Sequence, residues 1–519
     1  MLQVQNLKIT HKKDLREILS GFNFVLNPGD KAVIIGEEGN GKSTLLKWIY
    51  NPELIEDYTE SEGARVCNGE RLAYLPQELP GEDCEKSVYE FFSEEESFFD
   101  LTPRQLGEFA GNLHISVEFF YGEQKMGTLS GGEKIKAQMA RLLMAEPTIL
   151  LLDEPSNDID IETLEWLEKL IVNSEQAVLY ISHDETLIER TANVIIHLEQ
   201  IRRKTQCRYG IARTDYRTYM ENRRLGFEKQ EQEALNEKRA ERIREEKFRR
   251  IYQAVDHAQA AVSRQEPGVA RLLKKKMKAV KSMERRFERE REDMTQMPEY
   301  EEAIFMKFGE DIRIPNGKTI LELELEELRI KSEAEDKLLA KNISLTIRGG
   351  QKVCIIGSNG VGKTTLLRLI KDALLARTDI HAAYMPQNYE DLLDMEQTPI
   401  EFLSVTGDKE EITRIRTYLG SMKYTVDEMS HAIRELSGGQ KAKILLLKLS
   451  MSGADVLILD EPTRNFSPLS GPVIRRVLAA YGGAIISISH DRKYIREVCD
   501  QVYRMTAEGL EAVDLITED

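Results

Sequence analysis

The feature that most constrains the fold is a pattern the chain writes twice. GEEGNGKSTLLKWI, starting at Gly36, returns as GSNGVGKTTLLRLI at Gly357. YLPQ (74–77) returns as YMPQ (384–387), LSGGE (129–133) as LSGGQ (436–440), LLLDEP (150–155) as LILDEP (457–462), and ISHD (181–184) as ISHD (488–491). The spacings are kept as well. Leu129 stands 24 residues before Asp153, and Leu436 stands 24 before Asp460. Each aspartate is followed at 30 residues by a histidine, His183 or His490. Chance similarity does not preserve register over such a span, so these are two copies of one domain. They are expected at 1–200 and 319–519, with 201–318 as a linker between them. A chain of 519 residues is in any case too long for a single core.

Each copy carries the parts of a nucleotide site. GEEGNGKS and GSNGVGKT fit G-x-x-x-x-G-K-[ST]; each follows a β-branched run (KAVII, KVCII) and opens a helical pattern. Gly36, Gly39 and Gly41, with Gly357, Gly360 and Gly362, let backbone N–H groups turn inward around phosphates. The helix that follows adds its positive end. Lys42 and Lys363 are expected to reach the β- and γ-phosphates, with Thr44 and Thr365 completing the ATP-binding loops. Ser43 and Thr364 are expected to place a hydroxyl on Mg2+. TILLLDE and DVLILDE are as apolar as a parallel strand buried on both faces. Asp153 and Asp460 at their tips are expected to hold Mg2+ through water, and Glu154 and Glu461 to polarise an attacking water. Ser130, Gly131 and Gly132 open one helix, and Ser437, Gly438 and Gly439 another, each a further anion site. His183 and His490 follow apolar strands and are placed to touch a γ-phosphate.

Phosphate loop, Gln loop, LSGG signature, acidic strand tip and histidine, in this order, resemble the nucleotide-binding domain of the ABC ATPases. The resemblance covers about 400 of the 519 residues. It implies an α/β fold with two ABC-type P-loop nucleotide-binding domains that sandwich two ATPs head to tail. Lys42 would share one ATP with Ser437, Gly438 and Gly439, and Lys363 the other with Ser130, Gly131 and Gly132. It also implies ATP hydrolysis with Mg2+, and Gln77 and Gln387 as links between Mg2+ and domain movement. Two departures stand out. Where the family stacks adenine on an aromatic, the first copy has His11 nearby, and the second has only aliphatics and Arg329. After the second acidic pair the chain reads PTRNFSPLS, whereas the first copy keeps the Asp-containing PSNDID. Both glutamates are present, so both sites are expected to turn over ATP, but unequally.

The segment between the copies has the opposite charge. The whole chain carries a formal −17, yet 201–300 holds 27 Lys/Arg against 17 Asp/Glu, a net of +10. A charge asymmetry of this size points to a polyanionic partner. From Tyr216 to Val262 the sequence is free of Pro and has Gly226 alone, which favours a long helix. Phe227, Ala234, Phe248, Val255 and Val262 recur at seven-residue spacing, broken by Glu241, with Ile251 and Ala258 as a companion stripe. A second helix carries Leu273, Met277, Val280, Phe287 and Met294 on one seam. Pro267–Gly268 reads as a turn. The linker is therefore expected to be an antiparallel α-helical hairpin with its tip near 262–270. Around that tip stand Arg264, Arg271, Lys274, Lys275, Lys276, Lys278 and Lys281 against one acid, Glu266. A coil that merely solvates itself mixes signs, as EKRAERIREEKFRR does. Unbalanced charge beside a turn suits a phosphate backbone, and the lack of Arg–aromatic alternation suits RNA shape rather than sequence.

The five cysteines are scattered and never form CxxC, which reads as a reducing compartment without zinc or an iron–sulfur cluster. The N-terminus reads as a strand rather than a leader. No apolar window approaches a membrane span, so a cytoplasmic protein is expected. Two ABC domains joined by a basic hairpin resemble the ABC-F family. That resemblance implies a ribosome partner (E site, 23S rRNA and P-site tRNA) and a monomer with an internal domain pair. The interval from Gln loop to signature is 52 residues in the first copy and 49 in the second, leaving no room for the arm of housekeeping members. TRNFSPLS and the compact first copy resemble the antibiotic-resistance members, which protect ribosomes from lincosamides, pleuromutilins and streptogramin A; no C-terminal extension is expected. The alternatives are a translation factor of the same family that relieves stalling, and the ATPase subunit of an exporter, which has no use for a basic hairpin.

Overall fold

The computed structural model describes residues 1–201, 206–261, 267–292, 294–295, 297–298, 308–309, 312–330 and 337–514. They fall into two compact units, Met1–Tyr216 with Glu301–Asp519, and Arg217–Tyr300.

The larger unit is α/β and contains both copies. In the first, six strands lie side by side in the order Leu72–Leu75, Ile149–Asp153, Ala177–Ile181, Lys31–Ile35, Val194–Ile201 and Gln206–Ala212. In the second the order is Ala382–Met385, Val456–Asp460, Ala484–Ile488, Lys352–Ile356, Gln501–Thr506 and Gly509–Val513. The first five strands of each sheet are parallel and the last is antiparallel. The apolar runs KAVII, ILLLD, AVLYI, VLILD and AIISI are buried at every position because helices cover both faces of the parallel core. This topology brings the carboxyl ends of the phosphate-loop strand and the acid-tipped strand to one edge, where an open α/β sheet forms its ligand crevice. An antiparallel sheet of Glu17–Leu26, Leu2–His11 and Thr59–Val66 packs with the first copy; Thr319–Ile330 paired with Lys337–Arg348 is its counterpart.

Two boundaries differ from the expected linker of 201–318. Strand Gln206–Ala212 completes the first sheet, and Phe308 and Ile312 pack on the second copy's core. An edge strand closes a sheet only by pairing, and this pairing is invisible in a short mixed sequence such as QCRYGIA.

The smaller unit is a pair of helices. The first, Tyr216–Ala261, runs 46 residues and the second, Pro267–Glu292, runs 26. At 1.5 Å per residue they are about 69 and 39 Å long. Ala234, Leu273 and Val280 are buried, and Phe227, Phe248, Val255, Met277, Phe287 and Met294 are half-buried. The Phe248 and Phe287 rings meet edge to face at 5.8 Å. Glu241, which breaks the apolar register, is used: with Glu245 it pairs Arg291 of the other helix. Two expectations are corrected. Ile251 and Ala258 are exposed, and Tyr252 is the half-buried neighbour instead, because the seam drifts around a helix of 3.6 residues per turn. Pro267 is the first residue of the second helix, where its missing N–H costs nothing, so Pro267–Gly268 is a helix start and not the turn. Residues 262–266, with Val262, Arg264 and Glu266, lie outside the described residues.

Candidate functional site

Both phosphate loops turn from strand to helix through a glycine in the left-handed region, Gly41 at φ 87° and Gly362 at φ 105°. A Cβ on Gly41 would stand 2.1 Å from Ile18, and one on Gly362 would stand 2.8 Å from Leu339. Lys42 folds back over its loop and donates to the carbonyls of Gly36 (2.9 Å) and Glu37 (3.3 Å). Lys363 does the same to Gly357 (2.7 Å) and Ser358 (3.0 Å). Both amines are buried, and each ties two carbonyls of its own loop together.

Ser43 donates to Asp153 at 2.9 Å, and the Tyr74 hydroxyl donates to the other carboxylate oxygen at 3.2 Å. In the second copy Asp460 Oδ2 is buried without a hydrogen-bond partner among the described residues. A serine or threonine hydroxyl beside a buried carboxylate is a hard oxygen set of the kind Mg2+ takes. The orphaned Asp460 oxygen shows that the pocket has acceptor capacity the protein itself leaves unused. Burial pushes the Asp460 carboxyl up to about 6.

The glutamates next to these aspartates both adopt φ 52°, a conformation that non-glycine residues rarely hold. Their surroundings diverge. Glu154 accepts from His183 Nε2 at 3.1 Å and from Gln77 Nε2 at 3.0 Å, and from the Asn157 amide. His183 Nδ1 meets the backbone carbonyl of Phe466, in the other copy, at 2.8 Å. Burial alone would raise the Glu154 carboxyl, but His183, Lys42 and Asn157 outweigh it and hold it at about 2. Glu461 receives the backbone N–H of His490 at 3.2 Å, while the His490 ring stands 3.7 Å away. Burial, reinforced by Asp460, pushes Glu461 up to about 8. Burial and the Lys363 charge hold His490 down at about 4, and its Nδ1 has no partner among the described residues. Gln387 does not reach the second acidic pair; it lies 3.4 Å from Asp158 of the first copy.

The signature serines cap their helices. Ser130 forms a capping box with Glu133, and Ser437 with Gln440, which is why S-G-G-E/Q recurs. Each signature lies against the opposite phosphate loop. The Gly439 N–H donates to Glu38, and Glu37 pairs with Lys443 (2.6 Å) and accepts from Ser470 (2.6 Å). On the other side Asn359 donates its side-chain amide to the Asp158 carbonyl at 2.7 Å. A cavity of about 750 Å³ is bounded by Lys363, Thr364 and Thr365 on one side and Ser130 and Gly131 on the other. That is within the size range of small-ligand clefts. Ile330 and Leu339 line it too, so the wall available to a base in the second copy is aliphatic. His11 is held by Asp14 at 2.7 Å.

Sequence reasoning missed the residues that cross between copies: Glu37, Glu38, Lys443, Asn359, Asp158, Arg464 and Phe466. The two acids inside the first phosphate loop were a visible signal, since the second loop has Ser358 and Asn359 there. A family model described as ABC transporter matches residues 19–157 and 340–464, together just over half of the chain. The chain belongs to the ABC transporter family. Among its relatives is the ribosome protection protein VmlR of Bacillus subtilis (strain 168), 29% identical over 498 residues, covering 94% of this chain and 84% of the relative. The probable ATP-binding protein YheS of Escherichia coli (strain K12) is 25% identical over 555 residues, covering 100% and 81%. The archaeal ribosome recycling factor aABCE1, solved with the stalk protein aP1, shares the fold at a TM-score of 0.60 and 16% identity, covering 98% of this chain and 90% of that one. Two complete ABC copies, with relatives matched over more than four-fifths of their length, make the chain an ABC ATPase. It hydrolyses ATP and takes it with Mg2+. Among the described residues, no helix is long and apolar enough to cross a membrane.

Proposed function

We propose that this ABC ATPase is an ABC-F protein that acts on the bacterial ribosome, binding at the E site and using its helical hairpin to displace drugs from the peptidyl-transferase centre. The observation that carries the reading is the row of exposed basic side chains on the second hairpin helix: Arg271, Lys274, Lys275, Lys276, Lys278 and Lys281. With Arg264, these would grip 23S rRNA and P-site tRNA phosphates. The similarity to a ribosome protection protein over 94% of the chain supports the same reading. Lincosamides, pleuromutilins and streptogramin A are the drug classes proposed.

In the ATP sites, Lys42 and Lys363 bind phosphate, and the glycines at 36, 39, 41, 357, 360 and 362 present backbone donors with Thr44 and Thr365. Ser130, Gly131 and Gly132 complete one site from across the interface, and Ser437, Gly438 and Gly439 complete the other. Ser43, Asp153 and Gln77, and Thr364 and Asp460, would hold Mg2+, which when bound neutralises phosphate charge; Gln387, beside Asp158 of the first copy, would have to swing across to join the second set. Glu154 and Glu461 orient and polarise water, and His183 and His490 would touch the γ-phosphate, His183 also fixing Glu154.

Three measurements test this. The variant Glu154→Gln with Glu461→Gln should co-sediment with ribosomes in ATP; failure to do so removes any ribosomal role. Expression in a drug-sensitive bacterium should raise inhibitory concentrations for at least one of the three drug classes. Unchanged values across the panel, with ribosome binding intact, would leave a translation factor that relieves stalling. Replacing Lys274, Lys275, Lys276 and Lys278 with Ala should flatten the salt dependence of ribosome binding, by about 0.7 to 0.9 in log–log slope for each phosphate no longer neutralised.

A further inference from the structure

The helices that follow the two copies' acidic tips and histidines face each other across the copy interface and are inverted in charge. Signature, acidic tip and histidine are related by a constant offset of 307 residues (436 − 129). The same offset relates Glu168 to Arg475, Glu185 to Arg492, and Arg190 to Glu497. Each equivalent pair carries opposite signs.

These residues meet. Arg475 grips Glu185 with both terminal nitrogens, at 2.7 and 3.2 Å. Arg492 pairs with Glu168. Under exchange of the copies each of these two bridges becomes the other. The bridges inside each copy obey the same relation: Arg190 to Glu168 at 3.0 Å in the first, Arg475 to Glu497 at 2.8 Å in the second. Lys493 adds contacts to Glu185 (3.1 Å) and Glu189. Glu168, Glu185, Arg475 and Arg492 are all under 9% exposed.

A buried ion-pair network is weak evidence for stability, because desolvation offsets most of the attraction. Here Arg492 Nε and Nη1 are buried without partners among the described residues, so the network is not optimised for stability. What such a network does supply is discrimination. A two-fold interface sets each patch against its equivalent. Two first copies face to face would bury Glu168 and Glu185 against the same two acids, and two second copies would bury four guanidinium groups. Wrong partners are rejected by unpaired buried charge.

We propose that Glu168, Glu185, Arg475 and Arg492 are a recognition code that makes the second copy the only fitting partner for the first and forbids like-with-like pairing. Neither the drug nor the ribosome enters this proposal, so it stands or falls apart from the proposed function. The test uses the full chain. E168R/E185R makes both faces basic and should lower ATP turnover by at least about tenfold, with a more open particle in small-angle scattering. R475E/R492E, with both faces acidic, should do the same. Exchanging all six residues between copies (E168R/E185R/R190E with R475E/R492E/E497R) should restore most of the lost turnover and compaction, with Lys493 keeping Glu189 alone. E168Q/E185Q should cost clearly less than the reversal, since neutral amides are not repelled. A one-sided reversal that keeps full turnover would overturn the code. So would a folded six-residue exchange that stays as inactive as the one-sided variants. If the exchange does not fold, as judged by circular dichroism, the Gln-to-Arg comparison decides: equal losses mean a merely structural contact.

Discussion

At the first acidic tip, Glu154 sits among donors: the His183 ring, the Gln77 amide and the Asn157 amide converge on it. At the second, the same string ends in a glutamate with a backbone N–H and a histidine ring too far to bond. The first carboxyl is held at about 2 and the second is pushed to about 8. The cause lies in the residues that follow. Asn157 becomes Arg464, which turns away to pair with Asp158 of the first copy at 2.7 Å. His183 is braced by the Phe466 carbonyl, while His490 Nδ1 has no such brace among the described residues. Identical catalytic strings therefore arrive in unequal states because the residues that follow them differ, and because the partner copy braces one histidine.

The comparison breaks most visibly in turnover. Removing a general base costs on the order of 10²- to 10⁴-fold. Glu154→Gln should remove the larger share of steady-state ATP hydrolysis and Glu461→Gln the smaller, with the double variant down at least about 100-fold. Equal losses in the two single variants would show that nucleotide binding erases the asymmetry. A smaller effect is expected from the histidines. His183→Ala loses hydrogen bonds on both sides of the ring, one to a carboxylate, and should cost about tenfold or more. His490→Ala loses an unbraced ring and should cost less, measured in the same assay.

The smallest effect is on stability against pH, followed by thermal unfolding without nucleotide and with chelator. Glu154 has a folded value below its ordinary one, so the stability it lends is present above about pH 4.5 and lost as pH falls toward 2. Glu461 has a raised value, so what it lends is present below about pH 4.5 and lost as pH rises through 8. Glu154→Gln should therefore melt lower than the parent at pH 7. Glu461→Gln should gain least at about pH 4.5, gain progressively relative to the parent as pH rises from there, and level off above about pH 8. A Glu461→Gln difference that does not change with pH would argue that this carboxyl is ionised throughout.

Much of each half-site was legible because phosphate and Mg2+ chemistry demand particular residues at short, fixed spacing. A loop of glycines and a lysine, or a carboxylate at the tip of an apolar strand, is a local arrangement and leaves a local string. Gln387 shows where that ends. Its string matches Gln77, yet it lies beside Asp158 instead of the second acidic pair, since a loop's reach depends on what packs against it. The hairpin behaves similarly. Ala234, Leu273 and Val280 are buried as their spacing demands, whereas Ile251 is exposed, because a long helix rotates its seam away from a strict seven-residue repeat.

The sequence by itself determined the two copies, the parallel sheets with their phosphate loops, the acid-tipped strands and a basic helical linker. Each follows from periodicity or from chemistry confined to a few consecutive residues. Only the tertiary structure decided how each half-site is completed: Glu38 on Gly439, Phe466 on His183, Arg475 on Glu185. Those contacts join residues 283 to 401 positions apart. The protonation of the two glutamates follows from the same source, since burial and neighbouring charge are properties of packing and not of the string.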